Sequence, residues 1–294
     1  MLYFVLLIYQ LSEGNITTKY NIMTQIYTNT TTAREMELLK WIKETFPEGV
    51  FRTQDLRFRP EVYRRWRDWP MILDRLRKKE WVVLLEKGKY IFGDLLSSQT
   101  GDSFVIGTRL VSPSAIAYQS ALNHYGWTEQ IPNVVFVQTI KQKTSKEILN
   151  VRYKFIKVRP QKFYGVRDEW SGMARYKITD PEKTIIDCFD LPEYAGGFVE
   201  AAKGLYAAHR DLDKENLWHY AESIGNQTVM KRIAYLSELY DIEDFAKFRE
   251  RVLARLTKTY SILDPLSPPT GKRICRWKLL LNLSNQALLG MAEG

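Results

Sequence analysis

Two cysteines and three histidines are all that this 294-residue chain offers a soft metal ion. Cys188 and Cys275 are far apart, and neither has a partner at C-x-x-C spacing, so a zinc signature is missing. The two thiols read as reduced packing residues of a cytoplasmic protein. His124, His209 and His219 fall in helical segments without acids or cysteines at ligand spacing. No G-x-S-x-G, P-loop or G-x-G-x-x-G arrangement occurs, and Gly196-Gly197 lacks a lysine at the P-loop position. No cofactor and no metal site are implied. Long apolar runs are scarce as well. Met1–Ile8 is apolar but too short to span a bilayer. Neither a basic stretch before it nor a small-residue cleavage site before Asn15 makes it a signal peptide. No membrane partner is expected. Residues 1–32 read as a disordered or fortuitous leader, with Met23 an alternative start.

What is present is an ordinary globular balance, 45% hydrophobic and 26% charged, in a length that suggests two domains. The net charge is +9, which predicts attraction to polyanions and says nothing of the fold. Its distribution is more telling. Between Arg52 and Lys89 there are twelve Lys/Arg against six Asp/Glu, so six of the nine excess charges lie in 38 residues. A solvated surface face explains such a run equally well.

The order of elements gives that charge a setting. Apolar residues at Met36, Leu38, Leu39, Ile42 and Phe46 predict a helix over 33–46, ended by Pro47 and Gly49. Thr53 is placed to cap a short helix over 54–58. Asp68 and Pro70 start a further helix through Lys79, with Ile72, Leu73 and Leu76 on one face. Residues 81–85 and 90–92 are β-rich and flank the turn Glu86-Lys87-Gly88-Lys89, a hairpin. Helix, short helix, helix, hairpin is the order of a winged helix-turn-helix, expected over 33–96. In that arrangement a cationic helix enters the major groove of duplex DNA. The expected contacts are Arg64, Arg65 and Arg67 as anchors, Arg75 as the best reader of a base edge, Arg77, Lys78 and Lys79 beside it, and Lys87 and Lys89 on the wing. A plain surface amphipathic helix would explain the period but not the hairpin.

After a linker at 95–102, a second region is expected to be mixed and helix-rich, giving an α+β chain. Ser112-Pro113 predicts a helix through Tyr125. Strands are expected at 134–139, 151–158 and 174–178, with a charged turn at 141–147. Helices are expected near 181–189, 197–208, 214–223, 227–240 and 243–256, before a Pro-rich and then extended segment at 263–282. Arg152 and Lys154 share a strand face with Lys157 nearby; they either extend the basic surface or protect a sheet edge.

Several blocks of this region resemble the antitoxin body of the AbiEi family of type IV toxin–antitoxin regulators. They are Leu110–Ala117, Ser120–Gly126, Thr128–Pro132, Ile178–Asp187, Pro192–Gly197 and Arg276–Asn282. The likeness covers roughly 33–282 and assigns 103–294 to the antitoxin body. It departs from the family in the extra leader and in the long aromatic stretch Arg57–Trp69. The resemblance implies a transcriptional autorepressor that binds double-stranded operator DNA and neutralises a nucleotidyltransferase-like toxin, without requiring a tight complex. On the residues alone, Thr179 or Asp180 caps a helix, Lys183 and Asp187 pair at i, i+4, and Ile185, Ile186 and Phe189 pack inward. A functional reading groups Arg109, Asp180 and Lys183 as a charged site touching DNA or toxin.

Two rival classes stand beside this one. Asp168, Glu169, Lys177 and Asp180 could build a metal-dependent nuclease, although nothing in the spacing fixes their geometry. A protein-binding adaptor without DNA specificity would use the basic surface for an acidic partner. No enzyme is the expected outcome.

Overall fold

The computed structural model describes residues 31–96, 101–130, 133–172 and 174–289. The expected leader therefore lies almost wholly outside the described residues. The chain divides into two compact units, 1–97 and 98–294. Among the described residues no helix is long and apolar enough to cross a membrane.

In the first unit, α1 (Ala33–Thr45) starts at a capping box. The Glu35 N–H donates to Thr32 Oγ1 (3.2 Å), and the Thr32 N–H donates to Glu35 Oε2 (2.8 Å). Strand β1 (Val50–Arg52) leads directly into α2 (Thr53–Arg57). Thr53 is the first helical residue; the cap position is Arg52, whose N–H donates to Asp55 Oδ2 at 2.8 Å, and the Thr53 N–H donates to the Gly88 carbonyl at 2.8 Å. The aromatic stretch after it folds as α3 (Pro60–Arg65), and α4 follows at Trp69–Lys78 with Pro70 in its first turn. Asp68 precedes α4 without capping it, because its carboxylate pairs with Arg34 at 2.7 Å. Strands β2 (Val82–Glu86) and β3 (Lys89–Phe92) form the hairpin, and β1 pairs antiparallel with β3 to give the sheet order β1-β3-β2. Leu38, Ile42, Leu56, Val62, Ile72 and Leu76 are wholly buried between these elements.

Gly88 makes the hairpin turn at φ +71°, and a Cβ there would lie 2.7 Å from Thr53 Oγ1. Gly88→Ala should therefore destabilise the first unit by about 1–2 kcal/mol from the left-handed backbone alone. Faster amide exchange in β2, β3 and α2 would report it; unchanged exchange there would show that the turn tolerates a side chain.

The second unit is built on a six-stranded mixed sheet of order β6-β7-β5-β4-β9-β8. These strands are β4 (Ser114–Ile116), β5 (Val134–Thr139), β6 (Lys146–Ile148), β7 (Val151–Lys157), β8 (Val166–Ser171) and β9 (Ala174–Thr179). Helix α5 (Gly101–Leu110) crosses one face, and Gly107 lets it approach, since a Cβ there would meet Val137 Cγ2 at 3.1 Å. Phe136 and Gln138 alternate with Val137 along β5, yet all are buried, as in a sheet covered on both sides.

Three sequence expectations give way here. The helix foreseen from Ser112 begins only with α6 (Gln119–His124), because Ser114–Ile116 is a fully buried strand between β5 and β9. The charged turn at 141–147 contains the start of β6, which pairs with β7. Strand β6 covers only Val151–Tyr153 of β7, so Arg152 lies within the sheet, whereas Lys154 and Lys157 extend past β6, where protection of a sheet edge still accounts for them. The part of the linker at 101–102 is the start of α5.

The helical half follows as foreseen: α7 (Pro181–Asp190), α8 (Phe198–Ala208), α9 (Lys214–Ser223), α10 (Gln227–Leu239) and α11 (Ala246–Arg255). Ile185, Ile186 and Phe189 put α7 at the centre of its apolar core. A small sheet closes the unit, with β12 (Leu279–Leu281) between β10 (Ser261–Ile262) and β11 (Lys272–Ile274), before α12 (Asn285–Leu289). Among the described residues the architecture is mixed α and β with three separate sheets, in keeping with the α+β class.

Candidate nucleic-acid interface

Helix α4 has two faces. Trp69, Ile72, Leu73 and Leu76 are buried against α1 and β2. Met71, Arg75, Arg77 and Lys78 are exposed, with Asp74 half-buried among them. The sequence foresaw this division, but it did not foresee how the cations are tethered. Arg77 and Lys78 share Asp74, at 2.8 and 2.9 Å. Those hydrogen bonds, from Arg77 first and then Lys78, hold the Asp74 carboxyl below its ordinary pKa. Arg65 pairs with Glu37. Arg64, Arg67 and Lys87 are exposed and have no carboxylate partner among the described residues.

Two of the expected DNA contacts are withdrawn from the surface. The Lys79 side chain is only 12% exposed, and its Nζ donates to Glu35 Oε2 at 2.8 Å. Lys89 opens β3 with its side chain 10% exposed, 3.9 Å from Glu86. Both are folded into the unit, whereas Arg77, Lys78 and Lys87 beside them are exposed.

Glu35 was missed in the sequence, although Thr32-Ala-Arg-Glu35 carries the spacing of a capping box. Its carboxylate, 1% exposed, accepts from the Thr32 N–H and Lys79 Nζ, and it forms an ion pair with Arg75 Nε at 2.7 Å. Burial pushes this carboxyl up, but Lys79, Thr32 and Arg75 outweigh it and leave the pKa below the ordinary value of 4.5. A carboxylate depressed on folding stabilises above its unfolded pKa, and the benefit fades as pH falls through the folded one. The free energy of opening α1 and α4, obtained from amide exchange after correction for its intrinsic pH dependence, should thus stay level down to pH ~4.5 and fall below it, and Glu35→Gln should remove that step. An acid limb of equal size in the variant would show that another group is responsible.

In the second unit, Arg109, Asp180 and Lys183 do not form one site. Arg109 Nη2 donates to the Arg175 carbonyl at 3.2 Å. Asp180 caps α7 by accepting from the Lys183 N–H at 2.8 Å, and it also accepts from the Tyr220 hydroxyl at 2.8 Å. The Lys183 side chain is fully buried and pairs with Asp187. The foreseen i, i+4 pair is thus present, as a core contact.

The acids weighed for a nuclease do not converge either. Asp168 is held across the strands by Lys177 (3.1 Å) and Arg175 (3.4 Å), whereas Glu169 pairs with Arg167 at 2.5 Å. Asp180 is committed to its cap. No group of three or more potential metal ligands occurs among the described residues. His124 lies 3.3 Å from the Tyr176 hydroxyl, and burial pushes its pKa down.

A second concentration of positive charge had escaped notice. From Leu256 to Leu281 the acidic side chain of Asp264 stands against Lys258, Lys272, Arg273, Arg276 and Lys278. Asp264 is buried, and Arg273 and Lys278 both approach the Tyr260 ring, at 5.3 and 5.5 Å. A charge tally beyond residue 96 would have found this segment.

No protein-family model matches the chain, and no curated protein matches it. Among solved structures, the crystal structure of the RV2827C protein from Mycobacterium tuberculosis is similar, with a TM-score of 0.62 at 16% identity. The match covers 90% of this chain and 97% of that one. The likeness is one of fold.

Proposed function

We propose that residues 33–96 are a winged helix-turn-helix that binds duplex DNA, and that the protein represses transcription through it. The observation that carries this reading is the two-faced α4. Its apolar side is seated on α1 and β2, and its outer side carries Arg75, Arg77 and Lys78. The antiparallel sheet β1-β3-β2 supports it, with Lys87 exposed on the hairpin turn. In this reading α4 enters the major groove, the hairpin is the wing, and Arg64, Arg67 and Lys87 bind phosphates.

The second unit is the antitoxin part of the proposal, acting against a nucleotidyltransferase-like toxin in the cytoplasm. Its support is the resemblance of the blocks at 110–132 and 178–197. The α7 block is accounted for by core packing, so the surface that opposes the toxin is sought elsewhere on the unit. A gel shift tests the DNA reading, using duplex from upstream of the protein's own gene against a scrambled duplex. Retarded mobility for the first only, weakening between about 50 and 200 mM salt, is expected. Equal binding to both duplexes would favour a non-specific adaptor. Rescue of growth on co-expression with the neighbouring toxin gene tests the second part.

A further inference from the structure

The first turn of α4 offers a phosphate nothing to bind. The Trp69 N–H donates to the Trp66 carbonyl at 2.9 Å, Pro70 has no N–H, and the Met71 and Ile72 N–H groups both donate to the Asp68 carbonyl, at 2.9 and 3.2 Å. The amides that make a helix start attractive to anions are thus absent or already used. Its side chains carry no charge either: Trp69 and Ile72 are buried, and Met71 is 61% exposed. A single exposed apolar side chain is ordinary on a protein surface, but this one heads the outer ridge of α4. Helical spacing sets Met71 in line with Asp74, Arg75 and Lys78, opposite the buried Trp69, Ile72, Leu73 and Leu76. In a helix-turn-helix the first residues of the recognition helix are those that contact base edges.

We infer that Met71 reads thymine, its thioether side chain packing against the 5-methyl group in the major groove. The inference rests on the winged-helix reading and adds to it a specificity residue without charge. The thymine methyl is the apolar group that base pairs present in that groove; the other groups on the base edges there are donors and acceptors. Contact takes the methyl and the methionine out of water together, a gain that salt does not screen. An unbranched methionine also adjusts its reach to the base it meets. The charge around Met71 selects the occupant. Arg75 and Lys78 on the same ridge are exposed, Arg64 and Arg67 lead into the helix, and Asp74 is committed to Arg77 and Lys78. A second copy of the chain would bring a like-charged face, whereas a duplex brings phosphates.

The test uses the full chain and duplex from upstream of its own gene, prepared with either thymine or uracil throughout. Uracil lacks only the methyl group and keeps the pairing. Wild type should bind the thymine duplex more tightly, by about fourfold for each methyl group contacted. Met71→Ala should bring that ratio close to one, and Met71→Leu, apolar and of similar volume, should keep it. Both variants should fold, because the side chain is largely exposed. An effect of the methyl groups through the shape of the duplex would persist in Met71→Ala. A structural defect, or a second copy seated on Met71, would weaken both duplexes together. Each of these leaves the ratio for Met71→Ala at the wild-type value, and that result overturns the inference. Equal binding of the two duplexes by wild type overturns it as well, with DNA binding intact. A wild type that retards neither duplex removes the winged-helix reading, and the inference with it.

Discussion

Asp187→Ala is expected to cost the second unit about 3–5 kcal/mol, close to the whole stability of many domains. Asp187 and Lys183 are an ion pair with both side chains almost fully buried. Asp187 Oδ2 also accepts from Gln138 Nε2 at 2.8 Å, and the Lys183 ammonium lies 4.8 Å from the Tyr164 ring. Burial pushes the Asp187 carboxyl up, with Lys183 opposing that shift. Truncating the acid leaves an ammonium in the core with only an aromatic face for company. The contrast is the double variant Lys183→Met with Asp187→Leu, which removes both charges and should be nearly neutral. Urea unfolding of the three proteins measures the difference. A single variant as stable as wild type would mean that Lys183 reaches water, against its full burial here.

Replacing Arg64, Arg67 and Lys87 together by alanine should weaken binding to upstream duplex by two to three powers of ten in about 0.1 M salt. Each phosphate contact contributes a slope of about −0.9 in log K against log salt, so three contacts remove about 2.7. None of the three has a carboxylate partner among the described residues, so the fold should be unaffected within about 0.5 kcal/mol. Titrations across several salt concentrations separate this from a loss of base reading. A slope equal to that of wild type would place the DNA on another face. Lys79 and Lys89 offer the opposite contrast. Removing either disturbs packing, because both are folded into the unit.

The parts of this fold that were legible in the sequence are those in which local pattern and tertiary contact agree. The α4 helix announces itself through Pro70 and the spacing of Ile72, Leu73 and Leu76, and all three apolar residues are buried. The hairpin follows from Gly88 between two β-rich runs. The α7 block is capped by Asp180, as its composition suggests. What stayed hidden depends on partners distant in the chain. Strand β4 is three residues long and exists because β5 and β9 flank it. Strand β8, Val-Arg-Asp-Glu-Trp-Ser, lacks alternation and is held by pairing with β9. For the interface, residue type gave the cations but not their tethers. That Arg75 leans on Glu35, 40 positions earlier, while Lys79 turns inward, is fixed by the packing of α1 against α4.

The small closing sheet also orders events during synthesis. Strand β12 lies between β10 and β11, and Leu279 is fully buried in the same apolar core as α7. That core is incomplete until the ribosome has passed Leu288, whereas the first unit ends at residue 97. At about 5–20 residues per second, the interval is roughly 10–40 s. A nascent chain therefore carries a finished N-terminal unit well before its larger companion can close.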